Sequence, residues 1–328
     1  MKKLLNYKTA VLAAAVFLIM IFPACTRNHT VSKTALKLDT VVTITIYGSS
    51  DAALIDSAFG EIDRLAALLD VNDAESDLAR MAENAGEWVE VSAETAEVLA
   101  VAKEYYELSG GYFDVTAAPL VELWNVNGGG YFPTEEEIEA VLTLVDGSAL
   151  LLDGNMARLE KEGMKADLGG IAKGYIADKV KEHLISLDIE HAVIDLGGNV
   201  VLIGGKPDGT AFNIGVKDPL GGNGELLTTV KSSGESLVTS GIYERYFEYE
   251  GKRYHHILDP FTGAPSESDL AGVTIISENS AHGDALSTTC LLLGSERALE
   301  LVESFEGAEA LLVTRGGEVY KTSGWIYE

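Results

Sequence analysis

The sequence predicts an α+β fold in which mixed β-sheets pack against helices within a two-lobed single domain. Segments with the polar–apolar alternation of strands and segments with the apolar spacing of helices follow one another without the regular strand–helix order of a parallel α/β protein. Of the 328 residues, 47% are hydrophobic, which is ample for a large core and too many for a disordered chain. No stretch rich in proline or serine is long enough to separate independent domains.

One strand and three helices are predicted in the first half of the chain. Residues Leu36–Tyr47 alternate between apolar and polar side chains, which predicts a half-buried strand. Residues Asp51–Leu69 have apolar side chains at helical spacing, and Ser92–Leu108 forms a second helix with Ser92 as its N-cap. Thr134 and Glu137 have the spacing of a capping box, which predicts the start of a short acidic helix.

The second half of the chain mixes strands and helices less regularly. Helices are expected after Gly170 and after Ser280, and the turn Leu196–Asn199 is expected to join two strands in a hairpin. The other predicted strands are Phe212–Val216, Leu237–Thr239, Arg245–Tyr249 and Gly272–Ile276.

The N-terminus has the features of a bacterial lipoprotein signal. A basic start with three lysines precedes an unbroken apolar run, residues 10–22. These 13 apolar residues are too few to cross a bilayer core, which takes about 20, but suit the hydrophobic region of a signal peptide. Ala24 then supplies a small residue directly before Cys25.

We therefore predict that residues 1–24 are a signal peptide, that Cys25 is lipidated, that residues 25–35 form a tether and that residues 36–328 form the folded domain. The lipid would hold the protein on the outer face of the bacterial cytoplasmic membrane or in the periplasm. An ordinary secretory signal followed by an incidental cysteine is the alternative.

Composition and motifs exclude several classes of function. The net charge of −27, from 24 basic and 51 acidic residues, argues against a nucleic-acid partner, because phosphate backbones are bound by clustered Lys and Arg. Two cysteines cannot form a disulfide scaffold or a four-thiolate metal site. The sequence also lacks the glycine-rich motifs of dinucleotide-binding and nucleotide-hydrolysing folds, the zinc-protease motif and the serine-esterase motif.

The first candidate for chemistry is the segment Asp167–Gly174, which precedes a predicted helix. Gly169 and Gly170 fall at the helix N-terminus, where free N–H groups and the helix dipole favour an anion such as phosphate. Lys173 would add a positive charge, and Gly170 could turn its carbonyl toward a metal. The alternative is a plain strand-to-helix turn in which Asp167 caps the helix.

The second candidate is a set of oxygen ligands on one helix. Asp284, Ser287 and Thr288 are spaced three and four residues apart, so they share a face of the helix for which Ser280 is the predicted N-cap. A carboxylate and two hydroxyls suit Mg²⁺ better than zinc. The alternative is that these small polar side chains only bond back to the preceding turn.

The third candidate is His256, at the end of a predicted strand and just ahead of the turn residues Asp259-Pro260. A histidine in this position can act as a general base near neutral pH. The alternative is an exposed strand-end histidine with no role.

Six segments are informative when taken together: Gly111–Thr116, Asp167–Gly174, Val193–Asn199, Thr239–Gly241, His256–Gly263 and Asp284–Thr288. In this order they resemble the ApbE family, the bacterial FAD:protein FMN transferases. The resemblance extends from about Leu36 to the C-terminus.

The resemblance implies an ApbE-like fold and an enzyme that binds FAD and Mg²⁺, transfers FMN to a threonine hydroxyl of an acceptor protein and releases AMP. Relatives modify subunits of membrane redox pumps, so the implied partners are such a subunit and, through the lipid, the membrane. Because FAD is an anion and the protein is acidic, productive FAD binding is expected to require Mg²⁺.

The resemblance also assigns roles position by position, with His256 as the candidate base. The implied FAD contacts are Leu38, Asn72, Tyr112, Phe113, Asp114, Asp167, Lys173 and Leu258. The implied metal ligands are the Gly170 carbonyl, Asp284, Ser287 and Thr288.

The sequence alone leaves three other functions open. A non-catalytic FAD-binding lipoprotein would need the same pocket. A Mg²⁺-dependent FAD pyrophosphatase would use water in place of threonine. A structural envelope lipoprotein would not need the three candidate sites at all.

Overall fold

A computed structural model describes residues 29–222 and 224–326 of the chain. Within these residues the fold is α+β, as predicted, and its centre is an eight-stranded sheet in which every neighbouring pair of strands is antiparallel. The strands are β1 (Thr30–Lys37), β2 (Thr40–Tyr47), β3 (Val89–Glu90), β4 (Leu150–Asp153), β5 (Met156–Leu159), β6 (Ala192–Leu196), β7 (Asn199–Ile203), β8 (Phe212–Lys217), β9 (Leu226–Ser232), β10 (Ser236–Gly241), β11 (Tyr246–Tyr249), β12 (Lys252–His255), β13 (Leu270–Ser277), β14 (Ala308–Thr314) and β15 (Val319–Lys321).

The order in the large sheet is β1-β2-β6-β7-β10-β13-β14-β15, and smaller sheets are formed by β3-β5-β4, β8-β9 and β11-β12. The helices are α1 (Ala53–Leu69), α2 (Asp77–Glu83), α3 (Ala93–Leu108), α4 (Ala118–Trp124), α5 (Glu135–Leu142), α6 (Ala172–Ser186), α7 (Ser280–Leu293) and α8 (Ser295–Glu303). Single 3₁₀ turns span Val115–Ala117, Val126–Gly128 and Gly147–Ala149.

Helices cover one face of the large sheet and the β8–β9 hairpin covers part of the other. In β10, Val238 lies on the helical side, next to Gly283 of α7, whereas Leu237 belongs to the smaller core beneath β8 and β9. In β13, Ile275 likewise packs in the main core on the helical side, and Ile276 packs in the smaller core. Because successive side chains of a strand point to opposite faces, apolar residues at consecutive positions require both faces to be covered.

Helices α6 and α7 lie side by side on the sheet, α6 over β6 and β7 and α7 over β10 and β13. Gly174 permits this close packing, because a Cβ at Gly174 would lie 2.2 Å from the Ser280 carbonyl oxygen. The two helices therefore hold their N-terminal halves at a fixed separation, and the candidate residues on both come together.

Several local predictions are confirmed. Ser92 caps α3 by accepting a hydrogen bond from the Thr95 N–H, and Thr134 and Glu137 form the expected capping box at α5. The β6–β7 hairpin turns at Gly197-Gly198, where both residues have positive φ, 69° and 94°. The helix after Ser280 also forms, but its N-cap is Asn279, which accepts from the His282 N–H.

The first strand and the tether were predicted wrongly. The segment predicted as one strand, Leu36–Tyr47, is the end of β1, a turn and β2, and residues from Thr30 onward, predicted as tether, belong to β1. Leu38 and Asp39 form the turn with φ values of 52° and 55°, as in a tight hairpin. Strand β1 begins with polar residues and is held mainly by its pairing with β2. Because little of β1 is buried, its sequence lacks a clear apolar pattern.

The predicted signal peptide, residues 1–24, and the predicted lipidation site Cys25 lie outside the described residues. Among the residues that the structure describes, none of the helices has the length and apolar character needed to cross a membrane.

Candidate active site

A cavity of about 500 Å³ lies at one end of the large sheet, where several distant parts of the chain meet. Its walls come from the β1–β2 turn, the segment around the first 3₁₀ turn, the start of α6, the end of β10 and the loop after β12, with α7 at the base. The residues that line it include Asp39, Thr40, Tyr112, Phe113, Asp114, Asp167, Gly169, Gly170, Lys173, Gly197, Arg245, His256, Leu258, Asp284 and Thr288.

The Asp167–Gly170 turn forms one wall. The Asp167 backbone N–H donates to the Val115 carbonyl at 2.7 Å, and its carboxylate accepts from the Gly169 N–H at 2.7 Å. Burial raises the pKa of Asp167. Helix α6 begins after Ile171 without a side-chain cap, so Asp167 closes the turn and does not cap the helix.

Asp284 links the two central helices beneath this turn. Its Oδ2 accepts from the Gly174 N–H at 2.9 Å, and its Oδ1 lies 3.7 Å from Lys173 Nζ. Its side chain is almost completely buried, with the residue 1% exposed. A buried carboxylate at the N-terminus of α6 is stabilised by the helix N–H groups and by the lysine.

Asp178 on α6 forms a second contact between the two helices, at the start of α7, and the sequence did not predict it. Its two carboxylate oxygens accept from the backbone N–H groups of Ser280 and Ala281, each at 2.9 Å. Burial raises the pKa of Asp178 to about 6. Asp178 on α6 therefore caps α7, which sets the position of Asp284 relative to the turn.

The oxygen ligands predicted on α7 separate into two groups. Ser287 Oγ donates to the Asp284 carbonyl at 2.9 Å and pairs with Ser240 Oγ at 2.7 Å, and it is fully buried outside the cavity lining. Thr289 bonds back to Ala285. Thr288 differs from both, since its hydroxyl has no hydrogen-bond partner within the described residues and lines the cavity.

Gly170 faces Thr288 across the base of the cavity. A Cβ at Gly170 would lie 3.4 Å from Thr288 Oγ1 and 3.2 Å from the Phe113 ring. Asp284 and Thr288 lie one turn apart on α7 and Gly170 faces Thr288, so a carboxylate, a free hydroxyl and the Gly170 backbone lie close together, and hard oxygen donors of this kind fit Mg²⁺. No cluster of three or more His, Cys, Asp or Glu occurs in the part of the chain that the structure describes, so the donor set depends on neutral oxygens beside Asp284.

His256 lines the cavity directly after β12. Its backbone N–H and its Nδ1 both lie 3.1 Å from the Arg245 carbonyl oxygen. A carbonyl oxygen only accepts, so Nδ1 carries the proton and Nε2 keeps a free lone pair. Burial, together with the nearby charges of Arg245 and Lys173, lowers the pKa of His256 to about 4, and the imidazole is neutral at pH 7. His256 is thus half-buried in the cavity wall and not an exposed strand end.

Most of the predicted FAD contacts line the cavity. Tyr112, Phe113, Asp114 and Leu258 do so, together with Asp167 and Lys173. The Asp114 carboxylate also holds the wall together, because it accepts from the Thr116 and Gly147 backbone N–H groups at 2.8 Å each.

Leu38 and Asn72 are not among the residues that line the cavity. Leu38 packs half-buried against the main core, and its neighbours Asp39 and Thr40 reach the cavity instead. Asn72 bonds to Asp70 through its side chain at 3.1 Å.

Sequence reasoning missed Arg245, Asp39 and Thr40 as cavity residues. The only sequence signal for Asp39-Thr40 was an interruption of the strand alternation by two polar residues. Gly197, in the turn between β6 and β7, also lines the cavity. A Cβ at this position would lie only 2.0 Å from the Thr40 hydroxyl oxygen, so glycine lets Thr40 occupy its place in the wall.

Comparisons with known proteins point in one direction. The ApbE family model matches residues 38–312. An FAD:protein FMN transferase of Klebsiella pneumoniae is 36% identical over 300 residues, covering 90% of this chain and 93% of that protein. The FAD:protein FMN transferase of Treponema pallidum is 32% identical, with 90% of this chain and 87% of that protein covered.

Solved structures agree on the fold. The ApbE protein of Thermotoga maritima superimposes with a TM-score of 0.83 at 33% identity, covering 90% of this chain and 97% of that one. The flavin transferase ApbE of Vibrio cholerae superimposes with a TM-score of 0.81 at 26% identity, covering 90% and 98%.

Proposed function

Because this chain belongs to the ApbE family, we propose that it is an FAD:protein FMN transferase, an enzyme that moves the FMN part of FAD onto an acceptor protein. The observation that carries the proposal is the cavity itself. A neutral histidine with a free Nε2 and a set of oxygen donors line the same space, next to the Asp167–Gly170 turn, whose glycines allow close approach of a phosphate.

The proposed reaction transfers a flavin-bearing phosphate to a threonine hydroxyl. The threonine oxygen forms a bond to the phosphorus on the FMN side, the bond from that phosphorus to the bridging oxygen breaks, and AMP leaves with that oxygen. His256 Nε2 takes the hydroxyl proton. Because phosphate transfer offers few covalent roles to a protein, the residues act mainly by positioning and by neutralising charge.

The Asp284 carboxylate, the Thr288 hydroxyl and the Gly170 carbonyl would hold a divalent cation such as Mg²⁺, which, when bound, would reduce the negative charge on the pyrophosphate. Lys173 adds a fixed positive charge 3.7 Å from Asp284. Tyr112 and Phe113 supply aromatic surface for an isoalloxazine ring, and Leu258 supplies apolar surface for the nucleotide.

The test is incubation of the purified protein with FAD, Mg²⁺ and an acceptor domain that contains a target threonine, followed by in-gel fluorescence of covalent flavin. We expect a fluorescent acceptor and stoichiometric AMP with the natural protein, and no label with His256→Ala although that variant still binds FAD. AMP without a labelled acceptor would identify a pyrophosphatase, and bound FAD without either product would identify a binding protein.

We further propose that Cys25 is lipidated and anchors the enzyme to the outer face of the cytoplasmic membrane. This rests on the basic start, the apolar run and the Ala24-Cys25 pair. Mass spectrometry of the mature N-terminus should find a diacylated Cys25 and a membrane-bound protein, whereas Cys25→Ala should leave the protein unlipidated. A mature protein that begins at another residue would contradict the anchor.

A further inference from the structure

Arg245 is a cation that lines the cavity and has no anionic partner among the residues that the structure describes. Two other charged side chains near the cavity have partners of opposite charge. Lys173 lies beside Asp284, and Glu244, the neighbour of Arg245, lies 3.5 Å from Lys217. A guanidinium is rarely left without an acceptor near a half-enclosed surface, because its five N–H groups bind carboxylates and phosphates well.

The surroundings of Arg245 indicate where its charge acts. Arg245 lines the same cavity as Asp167 and His256. Burial raises the pKa of Asp167 and the nearby Arg245 charge partly offsets that rise, while the same charge adds to the effect of burial in lowering the pKa of His256. Asp167 is not its ion-pair partner, since the two are not within 4.0 Å and the Asp167 carboxylate accepts from Gly169. The positive charge therefore faces the cavity that the Asp167–Gly170 turn and His256 share.

The backbone of Arg245 also fixes the histidine. Its carbonyl oxygen accepts from both the backbone N–H and the Nδ1 of His256, each at 3.1 Å. Residue 245 directly precedes β11, whose first residue Tyr246 pairs with His255 at the end of β12. The strand pair therefore fixes the backbone from which the Arg245 side chain extends, next to the histidine.

On the basis of the proposed function, we propose that the Arg245 side chain binds a phosphate oxygen of the FAD pyrophosphate, while its carbonyl orients His256. Arg245 is then a substrate-binding residue that places the reacting phosphate next to the base. An arginine suits this task because its planar fork can hold two phosphate oxygens at once.

The test compares FAD and riboflavin, which lacks both phosphates, as ligands of the full protein in EDTA and in Mg²⁺. We expect Arg245→Gln to weaken FAD binding by about ten- to hundredfold, as for a lost hydrogen bond to a charged group, and to leave riboflavin binding unchanged. Arg245→Lys should recover part of the FAD affinity. The matched control is Arg253→Gln, because Arg253 lies nearby on β12 but is exposed and paired with Glu248 at 3.1 Å.

Unchanged FAD affinity in Arg245→Gln would overturn the proposal, and so would an equal loss of FAD and riboflavin affinity, which would indicate a structural role. Thermal unfolding of each variant shows whether the fold is retained. Failure of the proposed function has a different signature. If the natural protein labels no acceptor but Arg245→Gln still loses FAD selectively, the phosphate contact stands and only the transfer reaction is wrong.

Discussion

At the scale of single residues, the chemistry of the site depends on which polar atoms are left without an internal partner. Ser287, Thr288 and Thr289 are adjacent hydroxyl residues on one helix, yet only the Thr288 hydroxyl is free to face the cavity. His256 is similar, since one ring nitrogen is bound by a carbonyl and the other is left for the substrate. Such differences arise from neighbouring segments of the chain and are not visible in residue type.

The Thr288 hydroxyl can be tested by a pair of isosteric changes. Thr288→Val should weaken Mg²⁺ binding about tenfold or more, because it removes an oxygen from the donor set while keeping the side-chain volume. Isothermal titration with Mg²⁺ measures this directly.

Thr289→Val is the control for that change. It removes only the bond to the Ala285 carbonyl, so it should cost about 1 kcal/mol of unfolding free energy and leave Mg²⁺ affinity as it was. Equal loss of Mg²⁺ affinity in both variants would rule out a specific role for Thr288.

The protonation state of His256 predicts the pH dependence of transfer. Its pKa in the fold is lowered to about 4, so the basic form is fully present above pH 5 and is lost as the pH falls through 4. We expect kcat/KM for acceptor labelling to show no inflection between pH 6 and pH 7 from this group and to fall below pH 5. A measured inflection near the ordinary histidine pKa of about 6.5 would contradict the lowered pKa of His256.

At the scale of elements, the site is assembled by the contact between α6 and α7. Gly174 donates to Asp284, and Asp178 accepts from the first N–H groups of α7, so each helix satisfies polar groups of the other. Local patterns predicted both helices, but the polar groups that join them are more than 100 residues apart in sequence. The β1–β2 hairpin was predicted as a single strand for a different reason, because the polar start of β1 gives a weak apolar pattern.

Substitution of Gly174 tests this helix contact. Gly174→Ala places a methyl group 2.2 Å from the Ser280 carbonyl oxygen, a main-chain atom that cannot move without moving α7. We expect a loss of about 1–3 kcal/mol in unfolding free energy from overpacking, and weaker Mg²⁺ binding, because Asp284 moves with its helix. Urea unfolding and Mg²⁺ titration of the same samples measure the two effects.

Gly60→Ala is the matched control in helix α1. Gly60 is exposed, and a Cβ at Gly60 would meet no other atom within 4 Å. This change should stabilise the protein by about 0.5–1 kcal/mol through helix propensity alone. If Gly174→Ala were equally stabilising, the close packing of α6 on α7 would be incorrect.

At the scale of the whole molecule, the net charge of −27 opposes the binding of an anionic dinucleotide. The cavity offsets it locally with Lys173, Arg245 and the N–H groups at the start of α6. Asp167 and Asp284 lie among these positive groups, so the fixed charges alone leave little surplus for a pyrophosphate.

This charge balance predicts that FAD binding depends on a divalent cation. Calorimetry should give a clearly higher FAD affinity in Mg²⁺ than in EDTA, whereas riboflavin, which carries no phosphate, should bind equally in both. Equal FAD affinity in the two conditions would contradict the prediction. It would mean that the protein's own cations are sufficient.

The sequence by itself determined the α+β class, the caps at Ser92 and Thr134, the glycine turns and the segments that identify the family. Each depends on residues within a few positions of one another, where spacing and backbone preference suffice. Only the tertiary structure decided that Arg245 lines the cavity, that Asp178 caps α7 and that Ser287 lies outside the cavity. The physical reason is that burial and hydrogen bonding of these groups depend on segments far apart in the chain, whose pairing is set by the packing of the sheet and its helices.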